Sequence, residues 1–290
     1  MANMSLRTEI IHRITSVPPL PTASSEVDRL VRDPQSPSAE VTRAIEYDPA
    51  LTTNVLRLAN SSPFGAPQSV GTVKEAFSRL VPDNGFESVL ADAFGKIAEG
   101  PMTGYDVSGE DLWDHLIGSA IASQRLAQVI KMSPPEHLFT AALTHDIGKV
   151  VLGTFPELNP PEIISLALKE RITFEEAERR TLGIDHAEVG AFLAEHWGLP
   201  ASIVDAVRLH HQPEWAVENP LIVNFVHVAD VVCLMAGVGA SVDALSYRPS
   251  SQAIQRLGMQ LSLLDKIVYE VLHELLKVRT LFKFHQGCPQ

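Results

Sequence analysis

Apolar side chains recur along this chain at spacings of three and four residues, the period of a helix that buries one face. Leu51, Val55 and Leu58 form one such stripe. The pair Asp48 and Pro49 before them is typical of a helix N-cap followed by a first helical turn. Alternating strand patterns joined by hairpin turns do not occur. The pattern therefore predicts an all-α protein.

A stretch rich in glycine and polar residues, at positions 98–111, carries no helical period. We place a boundary there between two helical lobes, residues 1–104 and 105–290. Most of the 11 histidines lie beyond this boundary. Several occupy helix faces where an apolar residue would pack well. The second lobe is therefore the part of the chain where the sequence predicts chemistry.

The first histidine of that lobe belongs to a helix predicted over residues 112–130. Bulky residues such as Trp113 share one face of this helix, and small residues share the neighbouring face with His115. A second helix can approach closely on the small-residue side. Asp111, one turn earlier, is placed to share a site with His115 or to orient its imidazole.

The adjacent pair His145 and Asp146 falls inside a helix predicted over residues 136–152. Apolar residues one and two turns earlier project to the same side, so both polar side chains should point inward, with Lys149 one turn on. Buried ionisable groups are costly unless they are paired. A neutral imidazole beside a carboxylate is also a partial set of metal ligands.

Three further helices contribute side chains of the same kinds. The segment 185–188, Asp-His-Ala-Glu, predicts a capping box that places His186 in an exposed first turn. His210 and His211 continue the apolar face of the next helix at its end. Asp230 lies in a helix that is apolar nearly all round, where an isolated carboxylate would be expensive. A metal ion or a charged partner is the simplest compensation.

Taken singly, each of these residues has a plainer interpretation, because a lone histidine is usually a satisfied core or surface residue. We interpret the remaining histidines of the second lobe in that way: His137, His196, His227, His273 and His285. The ordered combination of imidazoles and carboxylates on five successive helices instead favours a shared metal site. A helical scaffold in which these side chains only hydrogen-bond one another is the alternative without a metal.

Composition and charge limit the possible partners. The chain has 23 basic and 35 acidic side chains and a net charge of −12, which repels nucleic-acid backbones and anionic membranes. Its 2 cysteines imply no disulfide framework, and the N-terminus shows no export signal. The apolar run 221–236 is too short and too polar to span a bilayer. We expect a cytoplasmic protein without nucleic-acid or membrane partners.

The order of His115, the pair His145 and Asp146, and Asp230 resembles the HD-domain superfamily of metal-dependent phosphohydrolases, whose matching residues ligate a metal. His186, His210 and His211 resemble the additional ligands of members that hold two metal ions, in which the aspartate of the pair bridges the ions. Asp111 resembles a further acidic ligand found in such members. The resemblance implies one or two divalent ions, and Fe, Mn, Zn or Ni would suit these ligand types.

A narrower resemblance covers nearly the whole chain. The segments VPPLPTASSEV, DPALTTNVLRLANSSPFG, LTHDIGKVVL and HAEVGAFLAEHWGLPASIVDAVRLHH are similar to the HDOD family of bacterial HD-related output domains. This implies an N-terminal helical lobe packed on an HD-like helical lobe, acting in bacterial signal transduction. Many members have lost the HD residues, whereas this chain keeps a ligand-type residue at each position. It lacks the Gly-Tyr-Pro signature of cyclic-di-GMP phosphodiesterases, which speaks against that activity.

Two functions follow as expectations. The first is a signalling output protein with a metal site, whose partner is a signalling protein or a small nucleotide or phosphate ligand. The second is a metal-dependent phosphohydrolase acting on a phosphomonoester or a cyclic nucleotide. In that case Asp146 would be catalytic through its metal ions, and Lys149 would balance the phosphate charge.

Overall fold

The computed structural model describes residues 2–14, 38–61, 68–80, 109–153, 155, 159–239 and 248–282. Within these ranges the chain is helical and contains no strand, which confirms the predicted fold class. No helix in the described part of the chain is long and apolar enough to cross a membrane. The predicted lobe boundary, near residue 104, lies outside the described residues. The same is true of two residues near the C-terminus, His285 and Cys288.

The helices fall into an N-terminal set and a C-terminal set. The N-terminal set is α1 (Ala2–Ile14), α2 (Ser38–Glu46), α3 (Pro49–Asn60) and α4 (residues 73–80). The C-terminal set is α5 (Gly109–Val129), α6 (Leu138–Thr144), α7 (Ile147–Leu152), α8 (Pro160–Glu170), α9 (Phe174–Leu182), α10 (His186–His196), α11 (Ala201–Leu209), α12 (Pro220–Met235), α13 (Ser251–Arg256) and α14 (Leu264–Phe282). Short 3-10 turns precede α12 and α14.

Helix α5 is the central element of the C-terminal set and packs against α6, α12 and α14. Its small-residue face allows the close approach predicted from the sequence. A Cβ atom added to Gly118 would lie 3.2 Å from the Cys233 sulfur on α12. This close packing brings the side chains of His115 on α5 and Asp230 on α12 next to each other.

The predicted continuous helix over residues 136–152 is wrong in one respect. Helix α6 ends at Thr144 and α7 begins at Ile147, so His145 and Asp146 lie in the turn between them. Asp146 has φ −100° and ψ 14°, outside the helical region. The break turns both side chains into the core, where a straight helix would have separated their directions by about 100°.

Two glycines set the contact between α7 and α10. A Cβ atom on Gly148 would lie 1.9 Å from the carbonyl oxygen of His186 and 2.7 Å from the backbone nitrogen of Gly190. Any larger residue at Gly148 would therefore collide with backbone, which cannot move aside as a side-chain tip can. Because α7 follows Asp146 and α10 begins at His186, this contact brings those two residues together.

The N-terminal helices pack on the second lobe at several points. Helix α1 contacts α9 and α10, buries Ile10, and pairs Arg7 with Glu188 in the first turn of α10. His137, interpreted from the sequence as a satisfied core or surface residue, packs against Gly71, and its side chain is only 12% exposed. His137 has a left-handed backbone conformation, with a φ of 63°, and α6 begins at the next residue. His137 therefore belongs to the contact between the two parts of the chain.

Candidate metal centre

Imidazole and carboxylate side chains from separate helices of the second lobe meet in one buried cluster. Six of the seven are at most 3% exposed, and the remaining one, His211, is partly buried. The cluster consists of His115, His145, Asp146, His186, His210, His211 and Asp230. Each predicted ligand except Asp111 is thus brought together by the fold.

The first half of the cluster lies around His115 and His145. The Nε2 atom of His115 lies 3.1 Å from Oδ1 of Asp230 and 3.6 Å from Oδ2 of Asp146. The Nε2 atom of His145 lies 3.6 Å from the same Asp146 oxygen and 3.8 Å from Oδ1 of Asp230. These separations suit donor atoms that surround a common cation, since metal–ligand bonds of about 2.0–2.2 Å place neighbouring ligands roughly that far apart.

The second half lies on the other oxygen of Asp146. The Nε2 atom of His186 lies 3.2 Å from Asp146 Oδ1, and that of His210 lies 3.6 Å from it. The Nε2 atoms of His186 and His211 are 2.9 Å apart. Asp146 therefore offers one oxygen to each half, and in each group of candidate ligands the donor atoms lie within 4.8 Å of one another.

Backbone carbonyls fix the orientation of three of the imidazoles. His145 Nδ1 lies 2.7 Å from the Ala142 oxygen, and His210 Nδ1 lies 2.8 Å from the Val207 oxygen. His115 Nδ1 makes the corresponding contact with Val238 at 3.2 Å. A carbonyl only accepts hydrogen bonds, so Nδ1 must carry the proton in each ring. In the neutral rings, the Nε2 lone pairs therefore point into the cluster.

His186 is oriented by a carboxylate instead. Glu178, on α9 and fully buried, accepts from His186 Nδ1 at 2.5 Å and from the His186 backbone N–H at 3.1 Å. A carboxylate behind a ligating imidazole is a recurrent arrangement around protein-bound metals. The sequence did not single out Glu178, because α9 carries several glutamates and only the folded chain places this one behind His186.

Both carboxylates of the cluster are held in the ionised form. Burial would raise the pKa of Asp146, but the Lys149 ammonium, 2.6 Å from Oδ2, and His145 hold it well below its usual value. Burial acts in the same direction on Asp230, where His115 and His145 outweigh it and again leave the pKa well below normal. Ionised carboxylates are the form that binds cations.

The pKa values of the imidazoles are shifted in different directions. Burial lowers the pKa of His210 and lowers that of His211 well below its usual value, which favours the neutral, ligating form of both. Burial is outweighed at His186 by the Glu178 carboxylate, which raises the pKa to about 10. The cluster thus has negative carboxylates whose charge a cation would balance, and a metal at His186 would displace its proton.

Five buried atoms that could ligate a metal have no hydrogen-bond partner among the described residues. They are Nε2 of His115, His145 and His210, Oδ1 of Asp146 and Oδ2 of Asp230. An unsatisfied buried polar group costs about 1–3 kcal/mol, so five in one place are expensive without a shared partner. The donor types and their convergence fit a divalent cation bound by imidazole and carboxylate.

Two sequence interpretations need correction at this site. His186 was expected in an exposed first turn, but it is 1% exposed because α7 and α9 cover the start of α10. Its neighbour Asp185 does cap the helix, accepting from the Glu188 backbone N–H at 2.7 Å. Asp111 is exposed on α5 and is not among the converging donors.

His227 follows its plainer interpretation as a satisfied core residue. Its Nδ1 lies 2.7 Å from the carbonyl oxygen of His210, and its Nε2 accepts from the Ser250 backbone N–H at 2.8 Å. Both ring nitrogens are therefore used within the fold. The contact also holds the backbone of His210, and so supports the position of a candidate ligand.

Comparison with known proteins gives a family match over most of the chain. The sequence model of one family, described as HDOD domain, matches residues 17–213. A relative from Treponema pallidum (strain Nichols), an uncharacterised protein, is 27% identical over 222 residues, which is 75% of this chain. The chain spans only 42% of that relative's length.

Solved structures share the fold. An HDOD domain protein of unknown function from Geobacter sulfurreducens is 26% identical, with 98% of this chain and 99% of that chain covered and a TM-score of 0.52. The MmoQ response regulator from Methylococcus capsulatus is 22% identical, with 86% and 97% covered and a TM-score of 0.62. The second likeness is one of fold alone.

Proposed function

The chain belongs to the HDOD family, and from this premise we propose that it is a bacterial signalling output protein whose second lobe binds one or two divalent metal ions. The observation that supports a bound metal is the set of five buried atoms in one cluster that have no hydrogen-bond partner among the described residues. A role in signalling is supported by the family and by one structural neighbour, the MmoQ response regulator.

Two overlapping sets of residues would hold the ions. The first is His115, His145, Asp146 and Asp230, and the second is Asp146, His186, His210 and His211. A bound divalent ion supplies positive charge, and it can also polarise a phosphoryl oxygen or lower the pKa of a bound water. The chain itself supplies the ionised carboxylates and the carbonyl contacts that orient the rings.

Burial of the cluster favours a structural or sensing role for the metal over turnover. Structural metal sites are closed by protein ligands, whereas catalytic sites keep a position open for water or substrate. Here six of the seven candidate ligands are at most 3% exposed. A site of this kind links metal occupancy to the packing of α5, α7, α10, α11 and α12, which a partner can detect as a change in stability or shape.

A metal-dependent phosphohydrolase is the second candidate, and one edge of the cluster favours it. The Lys149 side chain is 22% exposed and His211 is only partly buried, so this edge faces solvent. Lys149 would there balance the charge of a phosphomonoester or cyclic nucleotide, beside Asp146. In the structure its ammonium is engaged with Asp146 at 2.6 Å, and it would have to be shared with the substrate.

Thermal unfolding with and without a chelator tests the proposed function. A ligand that binds only the native state stabilises it by about 2.7 kcal/mol when its free concentration is 100 times the Kd. Added Mn²⁺, Fe²⁺ or Zn²⁺ should therefore raise Tm, EDTA should reverse the rise, and Asp146→Ala should abolish it. Asp205→Ala, which removes a half-buried carboxylate of α11 that accepts a hydrogen bond from Asn219 outside the cluster, is the matched control.

The same preparations separate the two candidates. A metal-loaded protein that hydrolyses none of a panel of phosphomonoesters and cyclic nucleotides supports the output protein. Turnover that disappears in Asp146→Ala, with the fold retained, would establish the hydrolase instead. A Tm that ignores both metal and chelator would leave the scaffold of mutual hydrogen bonds as the correct interpretation.

A further inference from the structure

A second candidate site lies away from the metal cluster, in a cavity of about 510 Å³ between the two parts of the chain. We call it the interlobe cavity. Its walls come from α2 and α3 on one side and from α5, α6 and α14 on the other. None of the seven candidate metal ligands lines it. Cavities of about 300–1,000 Å³ at such junctions are the usual size and place for small-molecule sites.

The wall formed by α5 and α14 has more positive than negative charge. The Oε1 atom of Glu274 lies 3.1 Å from Arg125 Nη2 and 2.9 Å from Lys277 Nζ. One carboxylate thus serves two cations, and one positive charge is left in excess. The whole chain has a net charge of −12. A locally positive wall in such a protein is a feature that an anionic ligand would exploit.

The opposite wall combines a cation with an aromatic ring. The guanidinium carbon of Arg43 lies 5.9 Å from the centre of the Tyr47 ring. The Tyr47 ring in turn meets Phe139 edge-on, with 5.5 Å between ring centres. Among the described residues no carboxylate lies within ion-pair distance of the Arg43 guanidinium. The Tyr47 ring thus lies beside the positive charge of Arg43, and the Phe139 ring of α6 packs against it at 80°.

Glu46 lines the same wall and places a carboxylate beside Arg43. Burial raises its pKa and outweighs the opposing influence of Arg43 and Lys74. The side chain of Gln124, also in the lining, adds an amide that can donate and accept hydrogen bonds. The cavity lining thus contains three cations and two carboxylates, together with aromatic rings and an uncharged polar group.

We propose that the interlobe cavity binds a small anionic ligand with a planar ring, of the nucleotide class. Arg125 and Lys277 would hold the phosphate, and the ring would lie against Tyr47 and Phe139. A ligand held in this way contacts both parts of the chain and stabilises their packing. Because it uses none of the candidate metal ligands, this proposal does not rest on the metal centre.

Isothermal titration calorimetry on the full chain tests the proposal. The probes are 5′-monophosphates and 3′,5′-cyclic monophosphates of all four ribonucleosides, with inorganic phosphate and the free nucleosides for comparison. Each titration is run on the protein as purified and again with EDTA, so that a contribution of a metal ion to binding is recognised. We expect saturable binding of at least one nucleotide, with phosphate alone and the matching nucleoside alone each weaker by about ten-fold or more.

Three variants assign that binding to the cavity. Arg125→Ala should weaken it by about ten-fold or more, since it removes a charged hydrogen-bond donor. Glu274→Gln should strengthen it, because the two cations lose the carboxylate that competes with the ligand. Lys266→Ala, on α14 but outside the cavity lining, should leave it unchanged. Opposite effects of two changes in one ion-pair group are not expected from general damage to the fold.

The contradicting results are equally specific. Absence of binding by every nucleotide at millimolar concentration would overturn the proposal. So would binding that Arg125→Ala and Glu274→Gln leave unaltered, since the nucleotide would then occupy another place. Because the cavity shares no residue with the candidate metal ligands, either result leaves the proposed metal function standing. Conversely, if the stability of the protein proves independent of metal, the result for nucleotide binding still holds.

Discussion

Glu178 gives the sharpest prediction about the metal centre. It is fully buried, and one of its carboxylate oxygens accepts both from His186 Nδ1 at 2.5 Å and from the His186 backbone N–H at 3.1 Å. Glu178→Gln keeps the shape but removes the negative charge that orients this imidazole and increases its basicity. Losing such a partner behind a metal ligand typically weakens metal binding by about 10- to 100-fold.

The effect on stability follows from the linkage between binding and folding. At a free metal concentration 100 times the wild-type Kd, the ion contributes about 2.7 kcal/mol to the wild type. With binding 10- to 100-fold weaker, the same concentration contributes only about 1.4 to 0.4 kcal/mol. The loss of about 1.3–2.3 kcal/mol should reduce the metal-induced rise in Tm by about 3–9 °C, at roughly 2–4 °C per kcal/mol.

The assay is differential scanning calorimetry of each protein with metal and with EDTA, so that only the metal-dependent shift is compared. Glu176→Gln is the matched control, because Glu176 lies on the same helix and pairs at the surface with Arg179 at 3.2 Å and Arg180 at 3.0 Å. We expect the control to keep the full shift. An equal shift in Glu178→Gln and the wild type would refute the assigned role of Glu178.

Three further predictions concern the supporting structure. Gly148→Ala should lower the free energy of unfolding in urea by about 1–3 kcal/mol, because its Cβ atom would lie 1.9 Å from the His186 carbonyl oxygen; an unchanged urea midpoint would contradict the contact. His227→Phe leaves the His210 carbonyl and the Ser250 N–H unpaired, so urea unfolding should show a loss of about 1–3 kcal/mol per group, and wild-type stability would disprove this arrangement. Asp48→Ala should cost about 1 kcal/mol through the lost cap of α3, with metal content unchanged by elemental analysis; a loss of metal would show that the two regions are coupled.

Much of the fold could be predicted from the sequence because its signals are local. The helical period is visible along the chain, and Asp48 caps α3 as expected, accepting from the Leu51 backbone N–H at 2.9 Å. The residue types of the cluster could be identified in the same way. All of them except His186 stand out as polar groups on a face that is otherwise apolar, as Asp230 does on α12.

What could not be predicted depends on contacts between distant segments. The apolar pattern continues through residues 138–152 across the break between α6 and α7. Periodicity alone therefore predicts a single helix there. The burial of His186 depends on the contact between Gly148 and Gly190, two glycines with no special signal in the sequence. Glu178 gains its role only when α9 folds behind α10, and Asp111 shows that helical spacing alone does not bring a side chain into the cluster.

X-ray absorption spectroscopy at the metal edge, on protein purified without chelator, tests the central claim most directly. Together with elemental analysis it gives both the amount of metal and the atoms around it. We predict one or two equivalents of a divalent metal, coordinated by several imidazole nitrogens and carboxylate oxygens at about 2.0–2.2 Å. Protein with only traces of metal, or metal whose coordination shell contains no imidazole, would contradict a metal centre built from these side chains.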